Sequence, residues 1–226
     1  MMKNSDILAW DTVNWSKALN FWKKNVPSDK AGLKCLELGG NEGGLSLWLA
    51  SLDHSVICSD LENPHKTASK LHDKFPELQS KIEYQAIDAL KIPFENEFDI
   101  IVFKSILGGI SRDGQDEKKK EVIDQIYKAL KPGGQLLFAE NLEASPLHIF
   151  FRKKFVKWGA AWNYLRLNEV SALFSNFSDL SYNTAGFLGT FGRSEKQRQL
   201  LGYLDHVIEK LLPKKSCYIV YGVAKK

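Results

Sequence analysis

Apolar and polar positions change period several times along this chain. Trp15, Ala18, Leu19, Trp22 and Val26 recur at helical spacing, and Pro27 closes the pattern, which predicts an amphipathic helix. Short, unbroken apolar runs follow, separated by amphipathic stretches. The runs at 33–38, 55–59, 82–87, 98–103 and 135–139 predict strands. Helices are expected over 45–52, from Asn63-Pro64 to about Phe75, and over 117–130 with Val122, Ile123, Ile126 and Leu130 on one face. Lys131-Pro132-Gly133-Gly134 stops the last of these and turns the chain into the fifth strand. Continuous apolar strands alternating with amphipathic helices imply a parallel sheet covered on both faces.

The last third reads differently. Residues 147–165 are aromatic and basic. Asn168 is expected to cap a helix running to about Ser175, 177–182 to form a strand, 194–212 a long helix and 216–224 a final strand. The two late strands fit an antiparallel pair at one edge of the sheet. No linker marks a second domain.

The chain has 226 residues, enough for one large α/β domain. Its net charge of +4, from 31 basic and 27 acidic residues, falls short of a dedicated nucleic-acid binder. The clusters Arg152-Lys153-Lys154 and Lys214-Lys215 read first as solvated faces. Cys35, Cys58 and Cys217 lie in apolar runs without close spacing, which argues against disulfides and a zinc site and for a reducing, cytoplasmic setting. No signal core opens the chain, and no stretch of ~18 apolar residues occurs.

Candidate chemistry centres on Glu37-Leu38-Gly39-Gly40-Asn41-Glu42-Gly43-Gly44, a strand end, a glycine-rich turn and a helix start. Ligands of open α/β sheets bind beyond the carboxyl ends of strands, and a helix start offers free N–H groups. Position 3 counted from Gly39 is Asn41, so the dinucleotide fingerprint fails, and no Gly-Lys-Ser/Thr makes a phosphate loop. Asp60 ends the second strand, 21 residues after Gly39. A carboxylate there can accept hydrogen bonds from both hydroxyls of a ribose, or simply cap the next helix.

Glu37, Gly39 and Gly43, with Asp60 after the second strand, Ile87-Asp88-Ala89 after the third, Phe98–Phe103 as the fourth and the Lys-Pro-Gly-Gly turn into the fifth, resemble the class I S-adenosylmethionine-dependent methyltransferases over residues 33–141. The family often has glycine where Asn41 stands. The resemblance implies a Rossmann-like three-layer α/β sandwich, its seven-stranded sheet mostly parallel with an antiparallel last strand. It implies S-adenosylmethionine as cofactor and S-adenosylhomocysteine as product. Glu37, Gly39, Gly40, Asn41 and Gly43 would surround its methionine and ribose, Asp60 and Leu61 the ribose, Asp88 and Ala89 the adenine. One domain would comprise a helical cap (1–30), a cofactor-binding core (31–141) and an acceptor-side cap with the last strands (142–226). Asp99, at the far end of its strand, reads as structural.

Methyl transfer from a sulfonium is an in-line displacement in which alignment and exclusion of water are the protein's main tasks. In this family the segment after the fourth strand faces cofactor and acceptor; here it begins Lys104-Ser105. Lys104 could pair with the cofactor carboxylate or an anionic acceptor, or pack its stem at a strand end. The Asn/Asp-Pro-Pro-aromatic motif of amino-methylating nucleic-acid enzymes is absent. Glu140 and Asn141 follow the fifth strand on the ligand side, where either could touch the acceptor, Glu140 as a candidate catalytic residue and Asn141 as a substrate-binding one. His148 is the best-placed base, although a surface histidine is the plainer reading. His206 beside Asp205 reads first as a helix surface feature.

The stretch from Leu147 to Trp158, with Trp162 and Tyr164, leaves three readings open: a packed cap helix, a site for an aromatic or anionic acceptor touched by Arg152, Trp158, Trp162 and Tyr164, or a peripheral membrane contact. The expectation is a metal-independent O-methyltransferase of small molecules or glycans. A non-catalytic cofactor-binding regulator and an RNA or protein methyltransferase are the alternatives, with nucleic acid disfavoured.

Overall fold

The computed structural model describes residues 2–27, 30–155 and 161–226. The elements in chain order are α1 (Asn4–Leu8), α2 (Thr12–Asn25), β1 (Lys34–Leu38), α3 (Gly44–Ser51), β2 (Ser55–Asp60), α4 (Pro64–His72), α5 (Pro76–Gln79) and β3 (Ile82–Ala86). They continue with β4 (Phe98–Lys104), α6 (Leu107–Ile110), α7 (Glu117–Ala129), β5 (Leu130–Asn141), α8 (Pro146–Phe155), α9 (Val170–Leu173), β6 (Asp179–Ala185), α10 (Glu195–Ile208) and β7 (Ile219–Lys225). The seven strands form one sheet ordered β3-β2-β1-β4-β5-β7-β6. β1 to β5 pair in parallel, whereas β7 is antiparallel to both β5 and β6.

Alternation along the central strands feeds two cores. Cys35, Ile100 and Val102 face Trp15, Trp22 and Trp48, while Leu36, Ile101 and Phe103 face Val122, Ile123 and Ile126. Both faces are apolar because helices cover both, which is why these strands read as unbroken hydrophobic runs. Asp99, at the entry end of β4, accepts from the Lys34 N–H at 2.9 Å and pairs with Lys131 at 2.8 Å, a structural role.

Two expected caps differ. Asn63 precedes Pro64 in a left-handed conformation, but its side chain caps nothing. Asn168 lies inside a single 3-10 turn, 167–169, and the helix after it lasts only from Val170 to Leu173. The α1 segment was not expected at all, since its five residues are too few for a period to show.

The amino-terminal cap is tied to the last third of the chain through buried polar groups. Glu195, at the start of α10, accepts from the N–H groups of Asp11 and Thr12, each at 2.9 Å, so the first turn of α2 is capped from the other end of the sequence. Asp11 accepts from the Tyr218 hydroxyl, and Asn14 donates to Asp205 at 2.8 Å and to Tyr218 at 2.9 Å. Burial, reinforced by Glu195 and Asp205 and opposed by the Tyr218 hydrogen bond, pushes the Asp11 carboxyl up to about 7.

Two outcomes are expected. Trp22 is fully buried, stacks on Trp48 and donates to the Gly222 carbonyl at 3.0 Å. Trp22→Ala should cost about 3–5 kcal/mol in denaturant unfolding with an unchanged m-value. The fold favours protonated Asp11, so its contribution is fully present below about pH 4 and is lost as pH rises through about 7. Between pH 5 and pH 8 the denaturation midpoint should therefore fall less in Asp11→Asn than in the wild type; equal slopes would refute this.

Candidate active site

β1 and β4 are neighbours at the point where the strand order reverses, and the loops leaving their carboxyl ends diverge around a cavity of about 220 Å³. Glu37, Gly39, Gly40, Asn41, Lys104 and Ser105 line it from below, and Asp6 to Trp10 close it from the amino-terminal segment. The sequence places residues 1–30 in a helical cap but does not reveal that Asp6 to Trp10 close this cavity. The only signal was the clustering of Ile7, Leu8 and Trp10 just ahead of the first helix.

The loop is held by carboxylates. Glu37 occupies a strand position that would otherwise be apolar, on the face packed by α3. Its carboxylate accepts from the Ser46 N–H at 2.8 Å, the Leu45 N–H at 3.3 Å and the Ser46 hydroxyl. Burial pushes it up to about 7 against those hydrogen bonds. Asp60 accepts from the Asn41 N–H at 2.9 Å and the Leu61 N–H at 2.7 Å, one through each oxygen. Asn41 has φ 49°, a left-handed conformation that asparagine tolerates, so it can stand where related loops use glycine. The Leu61 side chain is exposed. The Ile87 N–H donates to the Asp60 carbonyl at 2.9 Å, which brings Asp88 and Ala89 beside Asp60. Asp88 is exposed and accepts from the Leu90 N–H at 2.9 Å.

Two glycines are required by protein packing. Gly43 has φ +71°, and a Cβ there would lie 2.4 Å from His72 Nε2. His72 holds the loop through that nitrogen, 2.9 Å from the Gly43 carbonyl. At Gly44 a Cβ would come within 2.3 Å of the Ile7 carbonyl oxygen, so glycine lets α1 lie directly on the start of α3.

Lys104 ends β4 on the same face as Ile100 and Val102, which aims it at α2. Its ammonium sits 4.7 Å from the centre of the Trp15 ring and 5.3 Å from that of Trp10. Among the described residues it makes no ion pair. Burial brings it down to about 8, opposed by the fields of Asp11, Glu140 and Glu37. Ser105 follows at φ 61°, its hydroxyl hydrogen-bonded by the Asn141 amide.

A second cavity, of about 840 Å³, lies between α8 and the start of α10, lined by His148, Phe151, Arg152, Phe191, Arg193 and Arg198 among others. Trp10 stands between the two cavities: it lines the smaller, and the Arg198 guanidinium lies 5.7 Å from its ring centre.

His148 is not a surface histidine. It is fully buried, stacked on Phe191 and edge-on to Phe187. Its Nε2–H donates to the Phe187 carbonyl at 2.8 Å, and Nδ1 accepts from the Ser145 hydroxyl at 2.7 Å. Burial lowers it to about 4. Glu140 is also fully buried, and its two oxygens accept from the N–H groups of Leu107 at 2.7 Å and Asn141 at 2.8 Å. Both candidate catalytic residues are thus engaged, in fixing a turn and the start of α6 respectively.

Arg152 departs from the solvated-face reading: it is buried, donates to the carbonyls of Leu142 and Glu143, and packs 4.1 Å from the Tyr164 ring centre. Lys153 and Lys154 are exposed. Trp162 lies over α6, where a Cβ on Gly108 would fall 2.0 Å from its Nε1. Trp158 lies outside the described residues. Asp205 is buried and accepts from Leu188 and Gly189, whereas His206 is exposed, so the two do not act as a pair. Among the described residues no group of histidine, cysteine and acidic side chains could hold a metal ion, and the three cysteines are buried and free.

Residues 36–138 match the family model described as "Methyltransferase domain". A ubiquinone/menaquinone biosynthesis C-methyltransferase of Ruegeria is 25% identical over 56% of this chain and 48% of its own. The mitochondrial 2-methoxy-6-polyprenyl-1,4-benzoquinol methylase of Caenorhabditis elegans is 32% identical over 50% of this chain and 39% of its own. The matched stretches thus span less than half of these curated relatives. Among solved structures, phosphoethanolamine N-methyltransferase 2 of Haemonchus contortus, bound to phosphomonomethylethanolamine and S-adenosylhomocysteine, superposes over 94% of this chain and 52% of its own (TM-score 0.64, 18% identity). The N-methyltransferase NodS of Bradyrhizobium japonicum covers 93% and 94% (TM-score 0.59, 16% identity). Residues 36–138, a little under half of the chain, thus match a methyltransferase domain, and the chain has the fold of these solved methyltransferases.

Proposed function

We propose that this chain transfers a methyl group from S-adenosylmethionine to a small-molecule or glycan acceptor. The observation that carries this is the Lys104 ammonium, half-enclosed by two indoles, without a carboxylate partner among the described residues, facing the same cavity as the Gly39–Asn41 turn. A buried cation of this kind calls for an anionic ligand group, and the cofactor's carboxylate is one. Each Asp60 oxygen uses one lone pair on the loop and keeps another for a ribose hydroxyl. Asp88, beside it, suits the adenine amino group. The bound cofactor supplies the activated methyl and its own leaving group. The protein's residues then orient it and exclude water, with the Asp6–Trp10 segment as cover.

The acceptor belongs in the larger cavity beyond Trp10, where apolar walls and Arg193 and Arg198 suit an aromatic or anionic molecule. The relatives named for benzoquinol and quinone rings, and the neighbour solved with a phosphorylated amine, support that class. Both ring nitrogens of His148 are engaged, and Glu140 is buried outside the lining of the larger cavity, so we favour an acceptor whose hydroxyl ionises readily by itself, such as a phenol, methylated on oxygen.

Calorimetry with S-adenosylmethionine should show binding, and silence at high micromolar concentration would sink the proposal. Asp60→Ala should weaken that binding by about 1.5–3 kcal/mol, the scale of hydrogen bonds to charged groups. Lys104 loses its charge as pH rises through about 8, so affinity should fall more steeply between pH 7 and pH 9 in the wild type than in Lys104→Met. Parallel pH profiles would remove Lys104 from the cofactor site.

A further inference from the structure

We propose that α10 and α8 dock the chain onto an anionic lipid bilayer, an interaction that needs neither cofactor nor acceptor. Leu200, Tyr203, Leu204 and Val207 recur along α10 at helical spacing, Leu211 continues the line just beyond its end, and all five are exposed. Val207 is 65% and Leu211 80% accessible, values that exclude them from any core of this chain. α10 buries the opposite face: Gly202 lies against Val13 of α2, and Asp205 is fully buried. The outward stripe is therefore surplus to folding, and a contiguous apolar patch of this kind marks an interaction surface.

Charge decides what covers it. From 193 to 215 the exposed charged side chains are Arg193, Lys196, Lys210, Lys214 and Lys215. The three acids of that stretch turn inward and are engaged: Glu195 on Thr12, Asp205 on Leu188 and Gly189, Glu209 on Lys17. α8 repeats the pattern, exposing Leu147, Phe150, Phe151 and Phe155 beside Lys153 and Lys154, and it contains no acid. α8 reaches the turn just ahead of α10, where Phe151 packs on Phe191 at the wall of the larger cavity. A second copy of the chain seated on this face about a two-fold axis would set lysine against lysine. An anionic bilayer accepts both parts of the surface, the apolar stripe in the acyl boundary and the lysines at the headgroups. No described helix is long and apolar enough to cross a membrane, so this contact is peripheral.

Co-sedimentation of the full chain with phosphatidylcholine vesicles containing about a third phosphatidylglycerol tests this. Binding should be strong at low salt, weak to vesicles of phosphatidylcholine alone, and should fall as salt screens the lysines. Each basic residue removed should cost about fivefold in partition. Val207→Glu/Leu211→Glu should lower partition at least about tenfold, with melting temperature and S-adenosylmethionine affinity unchanged. Should that variant fail to fold, Lys214→Glu/Lys215→Glu replaces it and should also weaken binding. No sedimentation at low salt, or binding indifferent to both variants, overturns the proposal. A dimer of the wild type that the first variant dissociates would also overturn it, by assigning the face to a second copy.

Discussion

The Glu37 carboxylate takes three hydrogen bonds from Leu45 and Ser46 while almost wholly out of water. Those donors are groups that the first turn of α3 would otherwise leave unsatisfied beside the core. The strand, the glycine turn and the helix are thereby locked into one unit, and the turn's position follows. Asn41 reaches Asp60, Gly43 reaches His72, and Gly44 accepts the backbone of α1, each because the turn is already placed. The carboxylate's preference for its neutral form measures how dry that position is.

Glu140 repeats the device at the end of β5 on the other face of the sheet, where it fixes the start of α6. Two buried acids at the carboxyl edge thus serve as internal caps. This separates two meanings of an acid at a strand end. Asp60 and Asp88 lie toward solvent, where their oxygens can meet a ligand, whereas Glu37 and Glu140 are buried against backbone N–H groups. Their spacing from the strands is alike, and only burial tells them apart.

Across the smaller cavity, Lys104 stands as the counterpart of these acids. Its charge is stabilised by two indole faces and by distant carboxylates rather than by a salt bridge, so it stays free for a ligand. Trp10 then connects the two cavities, taking Lys104 from one and Arg198 from the other. The amino-terminal segment that bears Trp10 is held through Glu195, Asp205 and Tyr218 by the last third of the chain. The cover of the smaller cavity thus depends on residues almost two hundred positions away.

The order of β1 to β5, the glycine turn and the acids after it were legible in the sequence, because unbroken apolar runs and glycines record local requirements that a parallel sheet imposes strand by strand. Of the late antiparallel strands, β7 was legible as an apolar run, whereas β6, a half-buried edge strand, was placed only approximately, at 177–182 against Asp179–Ala185. The roles of individual polar residues were not. His148 and Arg152 look like surface or substrate groups in a basic, aromatic stretch. They are buried because Phe187, Phe191 and Tyr164, distant in sequence, close over them. The sequence shows a long helix over 194–212, and only the packed structure shows that it buries the face opposite its apolar stripe. Periodicity reveals that a face is apolar; what that face meets is decided by tertiary contacts.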